Sequence, residues 1–346
     1  MNLQTAWKRL TADASDLDAV RDLMRQLVGQ DPTDICAEMA SAHLVGGGKY
    51  LRASLALGAA AALGVEPRHA VPWAAACELM HNASLIHDDL QDGDEVRRDR
   101  PAVWRTYGKE QAVNAGDMML MLSVRAVFQT DVAQFGPAVV ADLAACIARR
   151  GDETARGQAR EMQLRARRDF DRERYLEAAR GKTAGLFGLP VEGAAILAGF
   201  SAEEAVALAK PFEALGLLYQ LQDDVIDLYR DKGRGAPGAD LREGKVSALV
   251  VWHAAQHPED DGWLHALLTR GRAGITPDDV VGASERFATG GALVGVLAAI
   301  DALAAAVDDP VLGRAPGLVA AASSLRDVFL APLVGLGPDA RAVVSR

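Results

Sequence analysis

The chain has 346 residues, of which 50% are hydrophobic, 24% charged and only 5% aromatic. This is globular composition, which excludes disordered and collagen-like classes, and the shortage of aromatic residues favours helix over sheet. A formal net charge of −10 with no long polybasic run argues against nucleic-acid binding and against an electrostatic membrane anchor.

In chain order, the opening MNLQTAWKRL has no apolar h-region and is not read as a secretory signal. Leu17, Val20, Leu23, Met24 and Leu27 then follow the i, i+3, i+4 spacing of one helix face. Val45-Gly46-Gly47-Gly48 breaks the chain before a helix predicted over 51–64. The longest apolar run, Ala53 to Val65, is too short to span a bilayer. Gly64 to Pro72 reads as a loop. Further helices are predicted over 70–92, 110–130, 136–165, 172–199, 202–231 and 244–256. Those over 70–92 and 202–231 are apolar nearly all round, as buried helices are. Asp231 to Gly244, rich in glycine and charge, is expected to be a mobile flap, and 257–278 a polar connector. Period-two alternation of β-branched residues is almost absent, so the fold class is all-α. No composition shift divides the chain, so 1–346 is read as one domain. Three scattered cysteines, Cys36, Cys77 and Cys146, contain no CxxC pair and read as buried thiols of a reducing compartment. The expectation is a cytoplasmic protein without a transmembrane segment.

One short motif recurs. Asp88-Asp89-Leu90-Gln91-Asp92 and Asp223-Asp224-Val225-Ile226-Asp227 both read DDxxD, and each closes a long apolar helix. Positions i and i+4 share a helix face, so Asp88 with Asp92, and Asp223 with Asp227, project as pairs. Three carboxylates within five residues repel one another, a costly way to end a helix. Without His or Cys beside them they suit a hard cation such as Mg2+, held by one or two carboxylates plus substrate phosphates. An EF-hand fails because Leu90 stands where an oxygen ligand is needed. An HD-type phosphohydrolase fits poorly, since His81 lies only six residues before His87.

Metal-clamped diphosphate also needs cations. Lys49 and Arg52 stand three apart at a glycine-rich helix start, Arg97-Arg98 follows the first cluster, and Lys182-Thr183 interrupts an apolar helical stretch.

At this point the chain resembles the trans-isoprenyl (polyprenyl) diphosphate synthase family, in its geranylgeranyl or longer-chain form. The resemblance is carried by GGKYLR at 47–52, ELMHNASLIHDDLQDGDEVRR at 78–98, GD at 116–117 and GQAREM at 157–162. GKTAGLF at 181–187, YQLQDDVID at 219–227 and DLREGKVS at 240–247 complete it. These motifs run in the family's order over about 40–250, leaving 251–346 as C-terminal helices. The resemblance implies a helical bundle around a central cavity. It implies condensation of isopentenyl diphosphate with an allylic diphosphate, three Mg2+ ions per site, and a homodimer. Asp88 and Asp92 would bind metal with Asp89 in support; Asp223 would bind metal with Asp224 and Asp227 in its shell. Lys49, Arg52, His81 and Arg98 would hold isopentenyl diphosphate. Arg97, Lys182 and Lys245 would hold the allylic diphosphate. Gln158, Thr183 and Gln220 would line the reaction centre.

Departures from the family are Ala53 in place of Pro, a shortened flap in which Lys232 or Arg234 would replace a lysine, and an AVVSR ending without basic or aromatic closure. The growing chain would run down the helix before Asp88, past Ala83 and Ser84 towards Met80, with Met118, Met119 and Met121 as further candidate walls. Small residues at 83 and 84 imply a product of C20 or longer. The competing readings are a class I terpene cyclase, which leaves Lys49, Arg52 and Arg98 without a role, and a non-catalytic partner subunit, which fits poorly with two complete clusters.

Overall fold

The face of Val20 and Met24 becomes helix α1 (Ala14–Val28), with both residues buried. In the computed structural model, which describes residues 14–29, 31, 33–230 and 237–337, helices then follow one another almost without interruption. They are α2 (Ile35–Val45), α3 (Leu51–Ala62) and α4 (Pro67–Asp92), then a minimal hairpin of β1 (Val96–Arg97) and β2 (Arg100–Pro101). Next come α5 (Val103–Tyr107), α6 (Lys109–Val127), α7 (Val132–Arg167), α8 (Arg172–Ala179), α9 (Gly185–Leu197) and α10 (Ala202–Tyr229). The chain continues with α11 (Ala239–Arg242), α12 (Ala248–Gln256), α13 (Asp261–Thr269), α14 (Gly271–Gly274), α15 (Pro277–Thr289), α16 (Ala292–Ala304) and α17 (Pro316–Leu330).

Local chemistry sets the starts. Asp34 caps α2 by accepting from the amides of Cys36 and Ala37, and Ser201 with Glu204 forms a reciprocal capping box on α10. The centre is α4, α9 and α10. α4 packs on α3 and α6, and α9 packs on α10, α3 and α7. Trp73, Phe187 and Phe212 are fully buried there, each worth roughly 1.5–3 kcal/mol of transfer free energy. The Trp73 indole also donates to the Pro190 carbonyl at 3.1 Å, tying α4 to α9.

Several boundaries differ from expectation. α4 begins at Pro67, inside the expected loop, because proline suits a first helical position, and Pro72 sits within the helix at the cost of one amide donor. Residues 172–199 are two helices separated by a π turn, Arg180–Ala184. The stretch 257–278 contains α13, whose Leu264, Leu267 and Leu268 are buried, and the four-residue α14. α12 starts at 248 and not at 244. The flap residues Lys232 and Arg234, and the AVVSR ending, lie outside the described residues. By length and composition alone α7 is apolar enough to cross a membrane. Its C-terminal half places Gln158 and Glu161 on the wall of a charged cavity.

Candidate active site

The ends of α4 and α10 face a cavity of about 1550 Å³. Asp88, Asp92, Asp223, Asp224, Lys49, Arg52, His81, Arg97, Arg98, Lys182, Lys245, Gln158, Thr183 and Gln220 all line it, so residues from six separate motifs converge on one space, with the GD at 116–117 outside it. Asp89, Asp227 and Ala83 do not line it.

The first cluster sits in the last turn of α4, which stops at Gly93 in the left-handed conformation (φ 72°). Asp88 and Asp92 share the cavity face, as i, i+4 spacing requires. Asp88 lies 3.3 Å from the Lys182 ammonium, and Asp92 lies 3.3 Å from both Lys245 and Arg165. Asp89 points into the protein, 1% exposed, and accepts from Arg97 Nε at 2.7 Å. Burial pushes the Asp89 carboxyl up to about 6 against the opposing pull of Arg97. Burial likewise raises Asp88, with Lys182 resisting. Arg97 thus holds Asp89 while also lining the cavity.

The second cluster is arranged differently. Asp223 and Asp224 both line the cavity, but Asp224 is nearly buried and accepts from Tyr175 Oη at 2.6 Å, Gln220 Nε2 at 2.9 Å and the Ala248 amide at 2.6 Å. Burial raises Asp224 to about 6 although all three donors favour its anion. Asp227, 8% exposed, accepts from the Asp240 amide at 3.1 Å. Asp224 and Asp227 thus also brace residues 240–248, and of the two only Asp224 shares the cavity lining with Asp223. Gln220 also accepts from Thr183 Oγ1 at 2.8 Å, so an unbroken chain runs from Tyr175 through Asp224 and Gln220 to Thr183 at the cavity wall.

Lys182 and Thr183 owe their direction to the π turn. A Cβ at Gly157 would lie 2.1 Å from the Lys182 amide nitrogen, so only glycine lets α7 approach this turn. π turns recur at functional sites because the extra residue re-aims side chains. Here Lys182 reaches Glu161 at 2.6 Å as well as Asp88. Burial works against its ammonium, but Glu161 and Asp88 outweigh that and the net shift is upward. Lys245 behaves alike: it lies 2.9 Å from Glu243, 3.3 Å from Asp92 and 3.7 Å from Asp240, and is pushed well up despite burial.

On the opposite wall Arg52 is 8% exposed and stacks over the Phe187 ring at 4.4 Å. Arg98 donates to the Gly47 carbonyl, fixing the glycine-rich turn that presents Lys49. Burial, then Arg52 and Arg98, holds His81 well below the usual imidazole range, so it is neutral. Beneath them Glu78, 2% exposed, accepts from the Ala53 amide at 3.2 Å. A proline at 53 has no such amide, which gives this departure from the family pattern a local use. Gln158 donates to Gln91 at 2.8 Å, joining α7 to α4.

Ser84, Met80 and Leu120 line the deep part of the cavity, and the Met80 methyl lies against Gly151. Ala83 is fully buried elsewhere on α4, so the expectation for it is corrected: one residue along a helix turns the side chain by about 100°. Met119 is fully buried, Met121 is 60% exposed, and neither they nor Met118 line the cavity; α6 offers Leu120.

Sequence reasoning passed over Glu161, Glu78, Glu243, Tyr175 and Arg165. Glu161 carried a signal, lying on the same face of α7 as Gln158 and Arg165 at three- and four-residue steps. The partners of Glu243 and Tyr175 are set by long-range packing.

Among the described residues no three His, Cys, Asp or Glu side chains converge closely enough to hold a metal alone. The donor set is nonetheless all oxygen, with two carboxylates on one helix face and one opposite. That fits Mg2+, which keeps waters and takes its remaining ligands from substrate phosphates.

The polyprenyl synthetase family model matches residues 33–277. The chain is 38% identical over 228 residues to a short chain isoprenyl diphosphate synthase of Methanothermobacter thermautotrophicus, covering 64% of this chain and 68% of that one. It is 36% identical over 248 residues to a (2E,6E)-farnesyl diphosphate synthase of Mycobacterium bovis, covering 70% and 68%. The crystal structure of a geranylgeranyl pyrophosphate synthetase from Pyrococcus horikoshii superposes with a TM-score of 0.83 at 25% identity, covering 95% of this chain and 98% of that one. With a family match over most of its length and the motif residues gathered around one cavity, this chain belongs to the polyprenyl synthetase family, whose members are prenyltransferases.

Proposed function

We propose that this enzyme joins isopentenyl diphosphate head-to-tail to an allylic diphosphate and releases an all-trans prenyl diphosphate of C20 or longer. The observation that carries this is the pairing of two differently built walls. One is carboxylate-rich with Lys182 and Lys245, and the other is basic with Lys49, Arg52 and Arg98. A cyclase acting on one diphosphate has no use for the second wall.

Asp88 and Asp92, with Asp223 opposite, would hold Mg2+; their present lysine partners would turn to the diphosphate oxygens. Bound there, Mg2+ supplies neutralisation of charge on the departing diphosphate. Lys182 and Lys245 stabilise the same oxyanion from the protein side. As the allylic C1–O bond breaks, the cation left behind would lie near Thr183, which lines the cavity and whose hydroxyl donates to Gln220. C4 of the isopentenyl double bond attacks C1 and a C–C bond forms, the positive charge passes to C3 of the isopentenyl unit, and C2 of that unit loses a proton to the released diphosphate to give the new double bond. No protein base is needed, in keeping with carboxylates already engaged by cations.

The length reading rests on Ser84. Its hydroxyl is turned back to the His81 carbonyl at 2.7 Å, and this small side chain lines the cavity together with Met80. Dimer formation is supported by Val113, Met121, Phe128 and Val132, exposed along α6 and the turn into α7. The test is to incubate purified protein with Mg2+, isopentenyl diphosphate and dimethylallyl, geranyl or farnesyl diphosphate in turn, and weigh the products with and without chelator. Chelator-sensitive products separated by C5 units, ending at C20 or beyond, are expected. A cyclic hydrocarbon from one substrate, or a stop at C15, would overturn the respective half.

A further inference from the structure

We propose that Arg272, on the short helix α14, is a positioning residue that latches the end of the first aspartate cluster to the loop carrying Lys245. The inference deepens the prenyl-transfer reading and rests on it for the identity of the ligand.

Arg272 lies 180 residues from Asp92, in a stretch that reads as a connector. Its guanidinium nonetheless reaches the cavity wall. One terminal nitrogen donates to Asp94 Oδ1 at 2.7 Å and Glu243 Oε1 at 2.9 Å, and approaches the Asp92 carbonyl at 3.4 Å. Glu243 is nearly buried at 9% side-chain exposure. Its other oxygen lies 2.9 Å from the Lys245 ammonium, an ion pair. Lys245 in turn lies 3.3 Å from Asp92 Oδ2. The contacts close a circuit from Asp92 through Lys245, Glu243 and Arg272 back to the Asp92 main chain. Among the described ion pairs and side-chain hydrogen bonds, Arg272 is the one group beyond residue 250 that touches the turn after the first cluster.

Lys245 faces three carboxylates, Asp92, Asp240 and Glu243, before any diphosphate arrives. By holding one oxygen of Glu243, Arg272 keeps that carboxylate from closing on the ammonium with both. By holding Asp94 and the Asp92 carbonyl, it fixes where the last turn of α4 presents its metal-facing carboxylate. Arg272 is half exposed, and ion pairs of that kind contribute little to stability. Its removal therefore changes geometry at the site and leaves folding nearly untouched.

Calorimetric titration of inorganic diphosphate in excess Mg2+ tests this without turnover. Arg272→Gln is expected to weaken binding about tenfold, the usual scale for losing a residue that orients a ligating group, with an unchanged melting temperature. In steady-state assays KM for the allylic diphosphate should rise while KM for isopentenyl diphosphate stays put. Asp94→Asn separates positioning from bulk charge. Removing a negative charge beside the site would by itself tighten diphosphate binding, whereas a lost latch weakens it, and weakening is expected. Wild-type binding by Arg272→Gln, tighter binding by Asp94→Asn, or equal loss in both KM values with a lower melting temperature would each overturn the latch. A wild-type protein that binds Mg2+ and diphosphate but turns over no prenyl substrate would sink the functional reading alone, and the calorimetric comparison would still decide the latch.

Discussion

The two aspartate clusters share a pattern and a place, the last turns of a long buried helix, yet they spend their carboxylates differently. The cluster on α4 turns two of three towards the cavity and gives one, Asp89, to Arg97. The cluster on α10 turns Asp223 towards the cavity, gives Asp227 to the chain that follows, and engages Asp224 in a buried network at the wall. The cause is what comes next in the chain. After Gly93 the backbone leaves α4 in a hairpin that brings Arg97 back under Asp89. Residues 237–248 lie against the end of α10, so that the amides of Asp240 and Ala248 need acceptors. Buried amides left unpaired would cost about 1–3 kcal/mol each, and Asp227 and Asp224 supply those acceptors. One motif therefore yields a pair of cavity-lining carboxylates backed by Arg97 on one side, and on the other Asp223 beside an Asp224 that also braces the frame.

The largest expected effect is on turnover. Asp88→Ala and Asp223→Ala, the cavity-facing members, should each lower kcat by about a hundredfold or more, the scale of a lost electrostatic stabiliser. Asp227→Asn should lose far less rate and more melting temperature. If Asp227→Asn matched Asp223→Ala in rate with stability intact, the division between presenting and bracing carboxylates would be wrong.

Next comes Tyr175→Phe, which keeps the ring and removes one donor from Asp224. A hydrogen bond to a charged acceptor contributes about 1.5–3 kcal/mol, so a clear drop in melting temperature is expected. Because Gln220 and Thr183 hang on the same carboxylate, kcat should also fall, by about tenfold. A stability loss without any rate change would confine the network to a structural role.

Two neighbours on α4 give a smaller effect on rate and a sharp one on product. Ser84→Phe should shorten the product by filling the channel, with turnover of the first condensation little changed. Ala83→Phe should instead overpack the interior, costing about 1–3 kcal/mol of stability, without shortening the product. A shortened product from Ala83→Phe, or an unchanged one from Ser84→Phe, would mean that the chain descends another face of the helix.

These pairs show where sequence was enough. The i, i+4 rule placed Asp88 and Asp92 on one face without any structure, and the helical class followed from composition and periodicity. The same rule placed Asp223 and Asp227 on one face of α10, but it could not show that Asp227 accepts from a main-chain amide thirteen residues on while Asp223 lines the cavity. The expected helix over 172–199 is interrupted by a π turn that exists through the contact of Gly157 with Lys182, twenty-five residues apart. Local patterns carry no trace of such contacts. Tyr175 and Arg272 were invisible for the same reason, since a tyrosine on an amphipathic helix and an arginine in a polar stretch both have ordinary explanations until the fold puts a carboxylate beside them.

The last prediction leaves turnover at neutral pH untouched and probes the cationic wall around Arg97 and Arg98 beside the first cluster. His43 on α2 is 9% exposed. Burial, then the charges of Arg98 and Arg97, lowers its pKa from 6.5 to about 4, with only a partial offset from Asn82. The sign follows from which state binds the proton. Between pH 6.5 and about 4 the unfolded chain takes up a proton at this imidazole and the folded protein does not. Stability contributed by His43 is therefore fully present above that window and lost as pH falls through it, by about 3 kcal/mol at the acid end. Urea melts between pH 7.5 and 4.5 should show His43→Asn losing less stability on acidification than wild type. Parallel curves would mean that His43 is protonated in the fold beside two arginines, which would require a counter-charge that the wall around Arg97 and Arg98 does not otherwise need.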